Sequence, residues 1–367
     1  MKEMTTEELL KEIEENHNNS LFEEIFKRRD KELYRTALFY KGTKINYLTL
    51  KYNVIKYAKA LKAYGIKKGN EIPICMANTP EFIYLLGGIS LIGAKANIFG
   101  EGFDKDYITE IINGCNSDIL FATDDKYGVI DDSVKKSKNK RVVLISLTES
   151  LLNGKNPYIK LEKKWYDFKD RRNEIIDNSS RFMFSYEFLN LGKEYKGNYI
   201  EKVNLDDEFT ITYSSGSTNS SRPKAIVHDV KSYIVMGIYH DPKISKVPSM
   251  KNLRMLAHIP THSNTNIMSC ITDPLMQGSE IAVEPIYAPD HFVYSLLINK
   301  PSFVTATRSF FVRCANDILN NKKFKNVKMP FLLVPMIVGE PNSIGEEKFC
   351  NKFLRKVNAG SKFTHSP

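Results

Sequence analysis

The sequence predicts an α/β fold of two mostly parallel sheets flanked by helices, packed as two subdomains. Three observations lead there. Short apolar runs, such as those at 71–76, 119–122 and 254–259, alternate with amphipathic stretches of helical period, which is the rhythm of βαβ units. The 367 residues suffice for two to three packed units at about 100–200 residues each. Apolar residues at 42%, charged residues at 26%, with 19 Gly and 15 Pro, exclude a collagen, a coiled-coil rod and a wholly disordered chain.

Taken in order, residues 5–16 read as a helix capped by Thr5 or Thr6, within an N-terminal helical segment 1–36. Residues 37–47 alternate around a Lys41-Gly42 turn and predict a hairpin. Leu50, Val54, Tyr57, Ala58 and Leu61 recur at spacings of three and four and predict a helix over 48–64 that stops at Gly65. A strand at 71–76 follows, then a helix opened by Thr79-Pro80. Strands at 96–99, 119–122 and 142–147 alternate with a helix at 107–114. The first subdomain is placed at 37–200. Its stretch 148–200 is polar and charged, holds Trp165, and reads as a variable surface excursion. In the second subdomain, 201–367, strands at 209–213, 254–259, 280–283, 302–306 and 331–338 alternate with helices from about 229 and at 264–276, 290–299 and 308–320.

The apolar run 82–94 is about 13 residues long. A membrane span needs about 20, so it reads as a buried helix, and the acidic, helix-forming residues 1–17 do not read as a signal peptide. Five scattered cysteines, Cys75, Cys115, Cys270, Cys314 and Cys350, form no CxxC pair and point to a reducing cytoplasm. The net charge of +10 is spread along the chain. Its densest runs, 135–141 and 322–328, lack interleaved aromatics and read as solvated surface rather than a nucleic-acid groove.

The chemistry-bearing stretch is 213–224, Tyr213-Ser214-Ser215-Gly216-Ser217-Thr218-Asn219-Ser220-Ser221-Arg222-Pro223-Lys224. It follows an apolar strand. Its backbone N–H groups can form a nest for phosphate oxygens, its hydroxyls donate to the same oxygens, and Lys224 adds charge. The motifs GxGxxG and GxxxxGK followed by Ser or Thr are both absent. A flexible Ser/Gly linker is the alternative, but it would not need the apolar run 225–228 directly after the lysine.

This loop resembles the phosphate-binding motif of the adenylate-forming superfamily: acyl-CoA synthetases, luciferases and adenylation domains. Tyr213 through Thr218 fit the motif, as do Pro223 and Lys224; Asn219 and Ala225 replace glycines, and two extra residues precede Pro223. Weaker likenesses follow in family order: Lys-Ile-Asn-Tyr-Leu-Thr-Leu at 44–50, the segment 65–75, Asn78-Thr79-Pro80-Glu81-Phe82, Gly93-Ala94, Pro260-Thr261-His262 and Gly339-Glu340-Pro341.

The resemblance implies a two-step ligase. A carboxylate attacks the ATP α-phosphate to give acyl-AMP and pyrophosphate, and a thiol, commonly coenzyme A, then takes the acyl group. It assigns Ser214, Ser215, Gly216, Ser217, Thr218 and Lys224 to the triphosphate, with Thr218 also near Mg²⁺. Gly339, Glu340 and Pro341 go to adenine, and His262 to the reacting carboxylate. Thr218, Lys224 and His262 are thus the catalytic candidates. His258, inside an apolar run, is expected to be structural, and Cys270 a small buried residue rather than a thioester nucleophile. No acid occupies 263–266 to hold an amino group, so a fatty or other non-amino carboxylate is expected, with an acyl-carrier protein as the other thiol acceptor.

The family's later glutamate, ribose-binding aspartate and C-terminal domain with its lysine are expected beyond Pro367. The chain therefore reads as the N-terminal portion of such a ligase, not competent alone. A non-catalytic nucleotide- or acyl-binding module is the alternative. An incomplete edge would expose apolar surface that a homodimer could cover.

Overall fold

The computed structural model describes residues 11, 19–137, 140–151, 181–214, 222–240, 250–339, 344–360 and 364–365. The expected helix at 5–16 lies outside them except for Lys11. Strands β1 (Thr36–Tyr40) and β2 (Thr43–Asn46) form the expected hairpin, with Lys41 and Gly42 both at positive φ in the turn. The Tyr47–Tyr64 helix follows; Asn46 caps it by accepting from Thr49 N, and Gly65 ends it at φ 102. Then come β3 (Glu71–Cys75), the Pro80–Leu91 helix, β4 (Lys95–Ile98), the Lys105–Gly114 helix, β5 (Ile119–Thr123), the Tyr127–Lys135 helix and β6 (Arg141–Ile145). Further on lie β7 (Phe182–Phe184), β8 (Glu208–Tyr213), β9 (Ala225–Asp229), the Val230–Tyr239 helix, β10 (Arg254–Ala257), β11 (Glu280–Val283), β12 (Phe303–Ala306), β13 (Val334–Ile337) and β14 (Thr364–His365).

These strands make two seven-stranded sheets. One runs β7-β6-β5-β3-β4-β8-β9, the other β14-β13-β12-β10-β11-β1-β2. Each is parallel except for one antiparallel edge, β8 with β9 and β1 with β2. The predicted fold class holds. Sheet membership, however, does not follow chain order. The N-terminal hairpin extends the second sheet, Leu38 pairing with Ile281, while β8 and β9 extend the first, Ala96 pairing with Thr210. A single cut near residue 200 therefore does not separate the sheets. Pairing partners some 240 residues apart leave no trace in local periodicity.

The Pro80–Leu91 helix is buried on every side, which explains its unbroken hydrophobicity. It packs against the Tyr47–Tyr64 helix at backbone distance, because a Cβ on Gly88 would lie 2.9 Å from Ala58 N. Of stretch 148–200, residues 148–151 and 181–200 are described, and these do not behave as a surface excursion throughout. Within it β7 joins the first sheet, and Phe188, on the helix Ser185–Leu191, is fully buried against Phe121 and Tyr57. The basic run at 135–141 is likewise not all solvated: Lys140 is buried and donates Nζ to the carbonyls of Cys115 and Ser117. All five cysteines are free and buried. Among the described residues, no helix is long and apolar enough to cross a membrane.

Candidate functional site

The C-terminal ends of both sheets open on one crevice, the usual ligand position in open parallel sheets. Segments following β3, β4 and β5 meet segments following β10 and β11 around a cavity of about 480 Å³. Polar bonds fasten the two sheets here. Thr261 Oγ1 donates to the Met76 carbonyl at 2.6 Å, and Asn78 Nδ2 to the Ile259 carbonyl at 2.7 Å. Asn266 Nδ2 in turn donates to Asn78 Oδ1 at 2.8 Å.

Tyr213 ends β8 at this crevice. Ser215, Gly216, Ser217, Thr218, Glu340 and Pro341 lie outside the described residues. Both ends of the loop are described, and they are tied together. Ser214 N donates to the Lys224 carbonyl and Lys224 N donates to Ser214 Oγ, each at 2.9 Å. Tyr213 faces Ala225 in the antiparallel register below. The loop thus springs from a closed hairpin neck, not from a linker. Its other flank is anchored to the Lys105–Gly114 helix. Tyr107 Oη donates to the Pro223 carbonyl at 2.8 Å, and Arg222 forks onto Glu110 at 2.7 and 3.0 Å. Among the described residues, no carboxylate pairs with Lys224, whose side chain is exposed.

Behind the neck stands an aromatic wall. Phe103 meets Tyr213 edge-on at 5.3 Å and His262 at 5.5 Å, and stacks on Tyr107 at 6.0 Å. Tyr213 Oη donates to Asn97 Oδ1 at 2.8 Å, and Asn97 Nδ2 donates to Glu71 Oε1 at 2.6 Å, so the end of β8 is held by a buried polar chain. The His262 carbonyl accepts from Tyr213 N at 3.4 Å, and its ring lines the cavity beside Gly100. Burial holds the imidazole below its usual pKa, leaving a neutral ring near pH 7 that can donate or accept one proton. His258, four residues earlier, donates Nε2–H to the Thr305 carbonyl at 3.0 Å and is fully enclosed; it belongs to the core, as does Cys270.

Gly339 follows β13 at φ 81, a conformation that favours glycine. It lines a second cavity, of about 490 Å³, and not the one beside His262. The structure therefore joins Ser214 and Lys224 directly, brings His262 against the same neck through Tyr213, and sets Gly339 apart on the other cavity. Asn78, Gly100, Phe103 and Tyr107 were not among the sequence candidates. Asn78 lay in a family-like segment; the other three carry no local signal, because their roles arise only when the sheets meet. Among the described residues, no group of three or more His, Cys, Asp or Glu side chains could hold a metal. Magnesium takes many of its ligands from phosphate and water, so such a cage is not required for a phosphate-bound ion.

Comparisons with known proteins agree with this geometry. Residues 26–360 match the sequence profile of the AMP-binding enzyme family. Over 212 residues the chain is 29% identical to a 3-hydroxypropionyl-coenzyme A synthetase of Sulfurisphaera tokodaii, covering 55% of this chain and 29% of that protein. It is 26% identical over 216 residues to an acetyl-coenzyme A synthetase of Methylocella silvestris, covering 55% and 30%. The aligned part thus spans less than a third of these relatives' length. In fold, the chain superimposes on a long-chain-fatty-acid-CoA ligase (FadD1) from Archaeoglobus fulgidus with a TM-score of 0.73 at 15% identity, covering 95% of this chain and 63% of that one. It also superimposes on the anthranilate CoA ligase AuaEII in complex with anthranoyl-AMP, with a TM-score of 0.72 at 13% identity, covering 94% and 58%. With a profile matched over most of its length, the chain belongs to the AMP-binding enzyme family.

Proposed function

We propose that the chain is the ATP- and carboxylate-binding portion of an acid–thiol ligase. In the first step a carboxylate oxygen attacks the α-phosphorus of ATP. The bond to the bridging oxygen breaks, pyrophosphate leaves with the electron pair, and acyl-AMP forms. In the second, a thiol such as coenzyme A adds to the acyl carbon and AMP departs. An acyl-carrier protein is the other thiol donor of suitable chemistry.

The observation that carries this reading is the hairpin neck at Ser214 and Lys224. It sets Ser214 and Lys224, whose ammonium is unpaired among the described residues, at the strand ends, beside the cavity lined by His262. Charge accumulates on the leaving pyrophosphate, and fixed N–H donors with a nearby cation stabilise it without reorganisation. Lys224, Ser214, Ser215, Gly216, Ser217 and Thr218 are assigned to the phosphates; Gly339, Glu340 and Pro341 to the adenine. Magnesium bound to the phosphates would add positive charge there, and Thr218 is the residue assigned to help hold it. Neutral, half-buried His262 is assigned to orient the carboxylate as a hydrogen-bond partner, without the charge that would hold it as a static ion pair.

Carboxylate-dependent exchange of labelled pyrophosphate into ATP tests the first step. Exchange with a non-amino carboxylate supports the reading. Binding of ATP and acid with no exchange, in this chain and in any longer product of the same gene, would leave a non-catalytic binding module instead.

A further inference from the structure

His262 stands in an irregular segment between the end of β10 at Ala257 and a π-helix over Asn266–Thr272. Local turns close this segment: Ser263 N donates to the Pro260 carbonyl and Asn266 N to the Ser263 carbonyl, each at 3.0 Å. The backbone bond from Tyr213 N to the His262 carbonyl is long, at 3.4 Å, and a bond of that length holds weakly. The place of the imidazole therefore depends on side-chain anchors on either flank. On one flank Thr261 Oγ1 donates to the Met76 carbonyl. On the other stands Asn264.

Asn264 Oδ1 accepts from Tyr233 Oη at 2.8 Å, and Tyr233 Oη lies 2.6 Å from Thr210 Oγ1. An amide oxygen accepts and never donates, so the one proton of the tyrosine hydroxyl points to Asn264, and Thr210 is the donor to Tyr233. The bonds thus run in a single direction, from Thr210 through Tyr233 to Asn264, and bonds chained in this way reinforce one another.

The origin of this chain is fixed. Thr210 is fully buried within β8, paired with Ala96 on one side and His228 on the other. Its middle is fixed as well. Tyr233 is 1% exposed and meets Phe209 edge-on at 5.4 Å. It stands near the start of the Val230–Tyr239 helix, whose Asp229 cap accepts from Ser232 N at 2.8 Å. A buried tyrosine hydroxyl needs a partner, and Thr210 already supplies one. The second bond leaves the core for a half-buried residue two positions from His262. The strand at the origin, β8, is also the one that ends in Tyr213 and leads into the hairpin neck at Ser214.

We propose that Tyr233 is a positioning residue for the carboxylate half of the site: its hydroxyl, oriented by Thr210, ties the His262 segment to β8 and so sets the imidazole in a constant place relative to Ser214 and Lys224. This rests on the ligase reading for what His262 contacts, and on the geometry alone for the tie.

Three variants test it. Tyr233→Phe keeps the ring and its packing and removes the tie. Thr210→Val removes the donor behind it, and Thr210→Ser keeps that donor. Ring ¹H–¹³C spectra of the unliganded chain read the imidazoles, with the His262 signal identified by its loss in His262→Ala. Tyr233→Phe should shift or broaden the His262 signal and leave in place that of His258, which is bonded to the Thr305 carbonyl. Calorimetry then follows butanoate, hexanoate and octanoate in the presence of AMP, and ATP alone. The best-bound acid should weaken about tenfold in Tyr233→Phe, with ATP within about twofold of the parent. Thr210→Val should weaken the acid in the same direction, and Thr210→Ser should recover the parent's affinity. An unmoved His262 signal overturns the inference whatever the ligands do. Equal losses of acid and ATP, or Thr210→Ser as damaging as Thr210→Val, overturn it too, because general loosening of the core gives those results. A moved His262 signal in a chain whose parent binds no acid supports the tie and removes the carboxylate half of the ligase reading.

Discussion

Replacing Gly100 by alanine isolates the contact between the two sheets at the crevice. A Cβ built there lies 2.9 Å from both Cε1 and Nδ1 of His262 and 3.1 Å from Cε1 of Phe103. Favourable carbon contacts lie at about 3.5–4.0 Å, so the imidazole must retreat by roughly 0.5–1 Å. It has little room to do so, because Phe103 meets it edge-on and is itself packed against Tyr213 and Tyr107. Overpacking of this kind costs about 1–3 kcal/mol. Gly102, two residues on, supplies the control: a Cβ there meets nothing within 4 Å. Urea unfolding should show Gly100→Ala destabilised by that amount and Gly102→Ala within about 0.5 kcal/mol of the parent. Carboxylate affinity measured in the presence of AMP should fall about tenfold in Gly100→Ala alone, with AMP affinity itself unchanged. Equal behaviour of the two variants, or a loss of AMP as large as the loss of carboxylate, would refute the assignment of His262 to the carboxylate side.

Two further predictions concern pH. Burial lowers His258 to about 4 from the ordinary 6.5, so the fold keeps it neutral. Its contribution is complete above pH 6.5 and is lost as pH falls toward 4, amounting to about 3 kcal/mol over that window. The stability difference between the parent and His258→Phe should therefore change across pH 6.5 to 4; a difference that stays flat would mean the ring is not enclosed as described. Glu81 behaves oppositely. Burial, with Glu149 nearby, raises its pKa to about 8, and among the described residues its Oε2 has no hydrogen-bond partner. The unfolded chain ionises near 4.5, so the fold loses stability as pH rises from there to about 8. Glu81→Gln should gain stability relative to the parent over that interval, and a gain independent of pH would contradict the burial of a protonated carboxyl.

The elements most legible in the sequence were those whose signals are local. Asn46 and Gly65 bound one helix and Thr79-Pro80 opens another, because capping and glycine chemistry act within a few residues. The loop 213–224 was legible as a phosphate loop candidate from its residue types and its flanking apolar runs. What escaped depends on tertiary pairing. The hairpin at 36–46 gives no sign that it will dock beside β11, and β9 reads as an apolar run rather than a strand returning on β8. The triplet Phe182-Met183-Phe184 is a strand signal, but it is short and embedded in polar sequence. Tyr233 and Asn264 lie 31 residues apart, in no motif, and only the docking of the Val230–Tyr239 helix beside the π-helix brings them together. The same is true of Gly100 and His262, which meet only where the two sheets close on each other.

The most direct measurement is a titration of ATP and of adenosine into the parent chain and into Lys224→Ala. Lys224 stands at the hairpin neck with its ammonium unpaired among the described residues, so its contact should be to phosphate alone. ATP should bind the parent and lose about tenfold or more in affinity in the variant, with adenosine unaffected. Equal weakening of both ligands, or no binding of ATP to the parent, would contradict the placement of the phosphates at this loop.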